Sequence, residues 1–435
     1  MLISFKFKNC ASFKEETIFS MEAAKDDSLK DINTFSIGNG IMPIGEDTLL
    51  KSAVIFGPNA SGKTNVLKAF AYMRNVVLLS GAQQLPVVKS NLPFILDTKS
   101  KQMPSLYEVE FIANKKYYKY GFKIEQGSIV EEWLDKRVER LVNVFTRASG
   151  ELQIMGLDKN ATKLISLNSQ MTFLSVAANF NLEIAPYIRE VIDWFKKVLI
   201  VFENSQNSLD IYSANNEKYK EQALKILKLA DIGIVGLSVK KDKVADINSI
   251  NDMLAMATQQ QVMPEFAKGQ LKQEANSIFN IDLKTEFNVY DDNGNIVDKQ
   301  PIMLLKDKGF NSEGTERLLF YMGWILAALD LGSVLIVDEI DAKLHFLVAD
   351  YLIRMFNSID QNIHNAQLIC TAHNTMLMDE DLRRDQIYFT AKDFKGESSL
   401  VALSDFKNVR KADLFSKKYL AGFYSQLPDM KREVE

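Results

Sequence analysis

Cysteine is almost missing. Among 435 residues only Cys10 and Cys370 occur. They lie far apart, which argues against a disulfide framework or a cysteine metal site and points to a reducing, cytoplasmic setting. No uncharged apolar stretch is long enough to span a bilayer. The start, Met1-Leu2-Ile3-Ser4-Phe5-Lys6, alternates like a strand and lacks the apolar core of a signal peptide, so no membrane partner is expected. Charge of one sign is lacking too. Lys and Arg number 52 against 56 Asp and Glu, for a net charge of −4, so nothing drives the whole molecule toward nucleic acid or a membrane surface. The local basic runs Lys115-Lys116-Tyr117-Tyr118-Lys119-Tyr120 and Lys240-Lys241-Asp242-Lys243 read as solvated faces rather than a groove for a phosphate backbone. There is no internal repeat and no heptad run long enough for an extended coiled coil.

What is present is an ordinary globular composition, 47% hydrophobic, in a length that suits two or three domains or one domain with a large insertion. Its most informative segment is Gly57-Pro58-Asn59-Ala60-Ser61-Gly62-Lys63-Thr64. An apolar run, Ser52 to Phe56, precedes it, and helical spacing from Asn65 to Leu79 follows, which is the strand–loop–helix context of a P-loop. Gly57 and Gly62 let the backbone curl so that several amide N–H groups point at one anion. The new helix adds its positive N-terminal end. Lys63 would reach the β- and γ-phosphates of a nucleotide, and Thr64 would hold Mg²⁺.

The rest of the chain reads as α/β. Strand-like alternation at 2–8 and 16–22 makes the start β-rich, and short strands at 106–111, 117–124 and 128–133 are joined by turns at Asn114-Lys115-Lys116 and Glu125-Gln126-Gly127. Helical spacing marks Tyr187 to Val201 and Glu217 to Ala230. Residues 240–275 are polar with weak periodicity and are expected to form a mobile helical lid. A hairpin with Asp291-Asp292-Asn293-Gly294 at its turn occupies 284–300. Segments 312–330, 333–338, 343–357 and 367–371 then alternate helix, strand, helix, strand.

Val334-Leu335-Ile336-Val337 suits a strand buried on both faces of a parallel sheet, and it delivers Asp338 and Glu339 to the sheet's carboxyl edge. There Asp338 would hold Mg²⁺, and Glu339 would polarise the water that attacks the γ-phosphate. Upstream, Ser312-Glu313-Gly314 opens an apolar helix that can cap itself and present N–H groups to a phosphate. Asp341 follows at the strand exit, and Leu368 to Thr371 forms another buried-type strand leading to His373.

Gly57–Thr64, Ser312-x-Gly314, Asp338-Glu339, Asp341 and His373 occur in the order of an ABC-type ATPase head: Walker A, signature, Walker B, D-loop and switch histidine. The chain resembles the SMC/RecF-like branch of that class. Lys6 to Phe13, Asn91-Leu92-Pro93-Phe94, Asp338–His345 and Lys417–Gly422 resemble anti-phage defence ATPases of the RloA and AbiLi type, with the AriA subunit of the PARIS system as a relative.

The resemblance implies a mixed β lobe and a parallel-sheet P-loop core with a helical insertion between Walker A and signature: an N-terminal lobe over 1–180, a helical insertion over 181–283 and a C-terminal lobe over 284–435. It implies ATP and Mg²⁺ as cofactors, Glu339 and His373 as catalytic residues, and Thr64 and Asp338 at the metal. ATP would contact Gly57, Pro58, Asn59, Ala60, Ser61, Gly62, Lys63, Thr64 and Asn65, with Gln170 as the Q-loop glutamine. Ser312, Gly314 and Asp341 would act across an interface, because two copies sandwich the nucleotide in a homodimer or higher homo-oligomer. The expected function is a slow, regulatory ATPase switch, triggered by DNA or a phage protein. The stretch after His373 is too short for an appended nuclease, so a separate, TOPRIM-like nuclease effector is expected. A RecF-like repair ATPase that clamps DNA is the alternative, disfavoured by the acidic balance. A transporter ATPase is disfavoured by the long gap between Gly57 and Ser312. Two positions depart from the pattern: Ala11 stands where related chains often carry Arg, and Lys343-Leu344-His345-Phe346 replaces Ser-Leu-His-Pro.

Overall fold

The computed structural model describes residues 1–38, 40–43, 47–81, 87–137, 139–157, 167–177, 184–202, 217–230, 233–246, 277–303, 312–407, 409 and 413–424. From the N-terminus, β1 (Leu2–Lys8) pairs with β2 (Thr17–Ser20). A small ladder of β3 (Thr34–Ser36) and β4 (Thr48–Leu50) precedes β5 (Ser52–Phe56), which runs through the glycine loop into α1 (Lys63–Leu79). A meander follows: β6 (Ser105–Ala113), β7 (Lys116–Glu125), β8 (Ser128–Arg137), β9 (Leu141–Ala148) and β10 (Glu151–Ile154). Then come α2 (Ala185–Lys197), β11 (Leu199–Val201), α3 (Glu217–Leu229), β12 (Ile234–Asp246), β13 (Ser277–Tyr290) and β14 (Ile296–Met303). The final part holds α4 (Glu313–Leu331), β15 (Val334–Val337), α5 (Phe346–Asn357), β16 (Gln367–Thr371), β17 (Ile387–Lys392), β18 (Ser398–Ala402) and α6 (Phe415–Leu420).

Two large sheets organise these elements. One is antiparallel, in the order β10-β9-β8-β7-β6-β1-β2; the other has the order β11-β15-β16-β5-β17-β18 and is parallel except for β18. Every residue of β5, β15 and β16 is buried. Alternate side chains go to opposite faces. Ala53, Ile55, Val334 and Ile336 join α1, α2 and the antiparallel sheet in one core. Val54, Phe56, Leu335 and Val337 join α3, α4 and α5 in the other. Each such Val, Leu, Ile or Phe side chain taken fully out of water contributes about 1.5–3 kcal/mol, which is why the continuous apolar runs settle as the central strands.

The expected strands, hairpins and helices fall where periodicity places them. The tight turns have a local cause: Asn114 and Lys115 (φ 49° and 60°) and Gln126 and Gly127 (φ 46° and 74°) adopt the left-handed pairs that match strand twist. Two expectations need correction. The helix expected over Tyr187 to Val201 stops at Lys197, and Leu199-Ile200-Val201 pairs in parallel with Leu335-Ile336-Val337; an apolar triplet with two β-branched residues suits a sheet edge better than a last helical turn. The helical texture expected over 240–275 fails at its start, because Ile234–Asp246 is a strand paired along its length with Ser277–Phe287. The described residues within 181–283 are therefore mixed rather than helical: β12 is an edge strand of the sheet β12-β13-β14 and has little periodicity of its own. The remainder of that expected lid, 247–276, lies outside the described residues. Among the described residues no helix is long and apolar enough to cross a membrane.

Candidate functional site

Strand β5 ends at the carboxyl edge of the parallel sheet, and the glycine loop turns there between the ends of β16 and β17. A Cβ on Gly57 would lie 2.3 Å from Thr390 Oγ1 on β17 and 2.6 Å from Ser61 Oγ, so only glycine lets the loop seat against its neighbour. Ser61 Oγ and Thr390 Oγ1 are 2.6 Å apart. Asn59 and Ala60 form the exposed crest, Pro58 is half-buried, and Gly62 is the N-cap of α1. Asn65 Nδ2 donates to Ser12 Oγ at 2.8 Å, and Ser398 Oγ bonds the same hydroxyl at 2.8 Å. The loop is thus held by the first strand pair on one side and the β17–β18 hairpin on the other.

Lys63 opens α1 with its ammonium folded back, donating to the carbonyls of Gly57 (2.7 Å) and Pro58 (3.1 Å). It is buried, and burial lowers its pKa, opposed in turn by the charges of Glu339, Asp338 and Asp341. Next to it, Thr64 Oγ1 donates to Asp338 Oδ1 at 3.1 Å. Thr371 Oγ1 donates to the same carboxylate oxygen at 2.8 Å and accepts the Glu339 N–H at 2.7 Å. Parallel pairing of β15 with β16 is what places these strand ends side by side. Glu339 takes φ 54°, a left-handed conformation that costs a non-glycine residue about 1–2 kcal/mol. Its carboxylate Oε1 lies 3.2 Å from His373 Nε2. Asp341 Oδ2 accepts the backbone N–H groups of His373 (2.8 Å) and Asn374 (2.6 Å), which fixes the histidine's position.

One chain therefore brings together Lys63, Thr64, Asp338, Glu339, Asp341 and His373. Ser312 and Gly314 are arranged differently. The Ser312 hydroxyl caps α4, accepting from Thr315 N at 3.0 Å. A Cβ on Gly314 would sit 2.7 Å from the Lys343 carbonyl oxygen, and Lys343 Nζ pairs with Glu313 at 3.0 Å. The unexpected lysine thus ties the first turn of α4 to the loop that follows β15. Gln170 lies in a turn beside β8, where its N–H donates to Asn168 Oδ1. The sequence reading missed Thr371, Tyr321, Ser12, Ser398 and Thr390. Thr371 had a signal, since it ends the strand that leads to His373. The others become visible only through tertiary packing.

Among the described residues no cluster of three or more His, Cys, Asp or Glu side chains is arranged to hold a metal. The Thr64 hydroxyl and Asp338 carboxylate instead offer two hard oxygens close together. That set fits Mg²⁺, which takes one or two protein oxygens and completes its octahedron with phosphate and water.

Burial pushes the Asp338 carboxyl above its ordinary 3.8, partly opposed by the hydrogen bonds from Thr371 and Thr64. A raised carboxyl binds its proton more tightly folded than unfolded. Stability therefore falls as pH rises from 3.8 through the folded value, and the full cost is present at neutral pH. Asp338→Asn keeps an acceptor for both threonines and removes that cost. It is expected to raise the melting temperature of the nucleotide-free protein by about 1–3 °C at pH 7 while abolishing turnover. Calorimetry beside a phosphate-release assay checks both halves.

A family model described as "AAA domain, putative AbiEii toxin, Type IV TA system" matches residues 52–147 and 193–379. The matched segments contain the glycine loop, Ser312, Gly314, both strand-end carboxylates, Asp341 and His373. No curated protein matches the chain.

Proposed function

The chain belongs to this family of AAA domains, and from that premise we propose that it is an ATP-driven switch of a bacterial anti-phage defence system, closed by ATP between two copies and controlling a separate effector, a TOPRIM-like nuclease. The observation that carries the reading is the juxtaposition of Lys63, Thr64, Asp338, Glu339 and His373 at one sheet edge. The side chains of His373 and Glu339 remain 42% and 30% exposed, so the edge is open toward solvent. Ser312, exposed at the head of α4, would meet the nucleotide of a second copy.

The family's described toxin–antitoxin setting supports the defence context. The sandwich rests on the order of motifs, and the kinship with RloA, AbiLi and AriA proteins on the segments Lys6 to Phe13, Asn91 to Phe94, Asp338 to His345 and Lys417 to Gly422. The loop's amide N–H groups and Lys63 would bind the phosphates. Magnesium, held by Thr64 and Asp338, would neutralise charge on the β- and γ-phosphate oxygens. Glu339 would take a proton from the attacking water, and His373 would sense the γ-phosphate. Closure gains contacts from Ser312 and Gly314 that the open state lacks, which supplies the differential affinity a switch requires.

Glu339→Gln tests this. It removes the base while keeping shape, so hydrolysis should fall by about 10²-fold or more. With MgATP the variant should then accumulate as a dimer or larger oligomer in sedimentation velocity. A variant that stays monomeric with saturating MgATP overturns the sandwich.

A further inference from the structure

The backbone of Glu339 is gripped from two sides. Its N–H donates to Thr371 Oγ1 at 2.7 Å, and its carbonyl accepts from the phenol of Tyr321 at 2.9 Å. Tyr321 stands on α4, buried to 0% exposure, and its oxygen accepts from Arg317 Nε at 3.0 Å. The Arg317 guanidinium also lies 4.7 Å over the Tyr321 ring. A phenol that accepts from a guanidinium is polarised into a better donor. Burial also pushes its pKa upward, so it keeps its proton at neutral pH. The residue so held has φ 54°. Released, a glutamate relaxes toward the right-handed or extended regions, and a backbone rotation of that kind swings its carboxylate away from His373 and the Lys63 loop.

We infer that Tyr321 is a positioning residue: its hydrogen bond to the Glu339 carbonyl holds the left-handed turn that aims the Glu339 carboxylate. This rests on the reading of Glu339 as the base. It adds a role for α4 within its own chain, because the helix headed by Ser312 and Gly314 is bonded to the residue that would activate water.

Four forms of the full chain decide it: wild type, Tyr321→Phe, Glu339→Gln and the double variant. Each is measured for kcat and KM with MgATP, for binding of a fluorescent ATP analogue, and for melting temperature. Tyr321→Phe is expected to lower kcat about tenfold, with KM and nucleotide affinity changed less than about twofold. In the Glu339→Gln background it should have no further effect, because it acts through the group already removed. If Glu339→Gln is inactive while Tyr321→Phe keeps wild-type kcat, with or without a lower melting temperature, the positioning role is wrong and the base reading stands. If Tyr321→Phe lowers the residual rate of Glu339→Gln by its full factor, it acts elsewhere and the inference fails. If Glu339→Gln turns over at the wild-type rate, the base reading falls and the inference with it.

Discussion

Alanine at position 63 is expected to remove turnover of MgATP, by at least about 100-fold in kcat, and to weaken nucleotide binding. The reasoning is electrostatic. Lys63 is the buried ammonium facing three acids, and Asp338, Glu339 and Asp341 all act on its titration. Without it those carboxylates would meet a polyphosphate with no opposing charge from the loop. Unit charges about 4 Å apart interact by roughly 4 kcal/mol at an effective dielectric near 20, so one uncompensated contact is enough for the effect. The nucleotide-free fold should survive the change. Burial already disfavours the charged form of Lys63, so its loss relieves a cost that offsets the two bonds lost to the Gly57 and Pro58 carbonyls. Isothermal titration with ATP and a phosphate-release assay check it. A variant retaining more than about a tenth of wild-type turnover would place the phosphates somewhere other than this loop.

The second large effect is on stability. Arg383 is completely buried, and its guanidinium satisfies five acceptors: Asp385 through two bonds (2.9 and 2.7 Å) and the carbonyls of Ala24 (3.1 Å), Asp26 (2.7 Å) and Ser28 (2.6 Å). Asp385 in turn accepts the Ala24 N–H at 2.7 Å. The arginine thus fastens the segment after β2 to the approach of β17. Arg383→Ala leaves a buried carboxylate without its partner and three carbonyls without donors, a loss of about 3–5 kcal/mol. Equilibrium unfolding in urea should show the midpoint moving with little change in slope. A loss under about 1 kcal/mol would mean that water replaces the guanidinium there.

These two residues also show what could be read from sequence. Lys63 was legible because a phosphate cradle needs glycine, lysine and hydroxyl at fixed spacing in one short segment. Asp338 and Glu339 were legible because a run buried on both faces must end where a parallel sheet delivers ligands. Arg383 gave no signal: the three carbonyls it satisfies lie across the chain, and its neighbours read as an ordinary charged loop. Tyr321 and Ser398 were hidden for the same reason, since each acts through a tertiary contact rather than through spacing. The strand Leu199–Val201 was absorbed into a helix because three residues carry too little periodicity to separate two elements. Strand β12 was missed because a largely polar edge strand leaves neither a helical stripe nor a buried alternation to detect.

The order of the parallel sheet has a consequence for biosynthesis. Strand β5 sits between β16 and β17 and draws both ladder partners from segments far downstream of it in the chain. On a ribosome, the phosphate cradle emerges and waits, with Val54 and Ile55 uncovered, until the distant strands Gln367–Thr371 and Ile387–Lys392 have been made. Such distant pairing is slow to close and leaves a sticky ribbon awaiting its neighbours. The nascent chain therefore acquires its nucleotide-ready shape late and all at once.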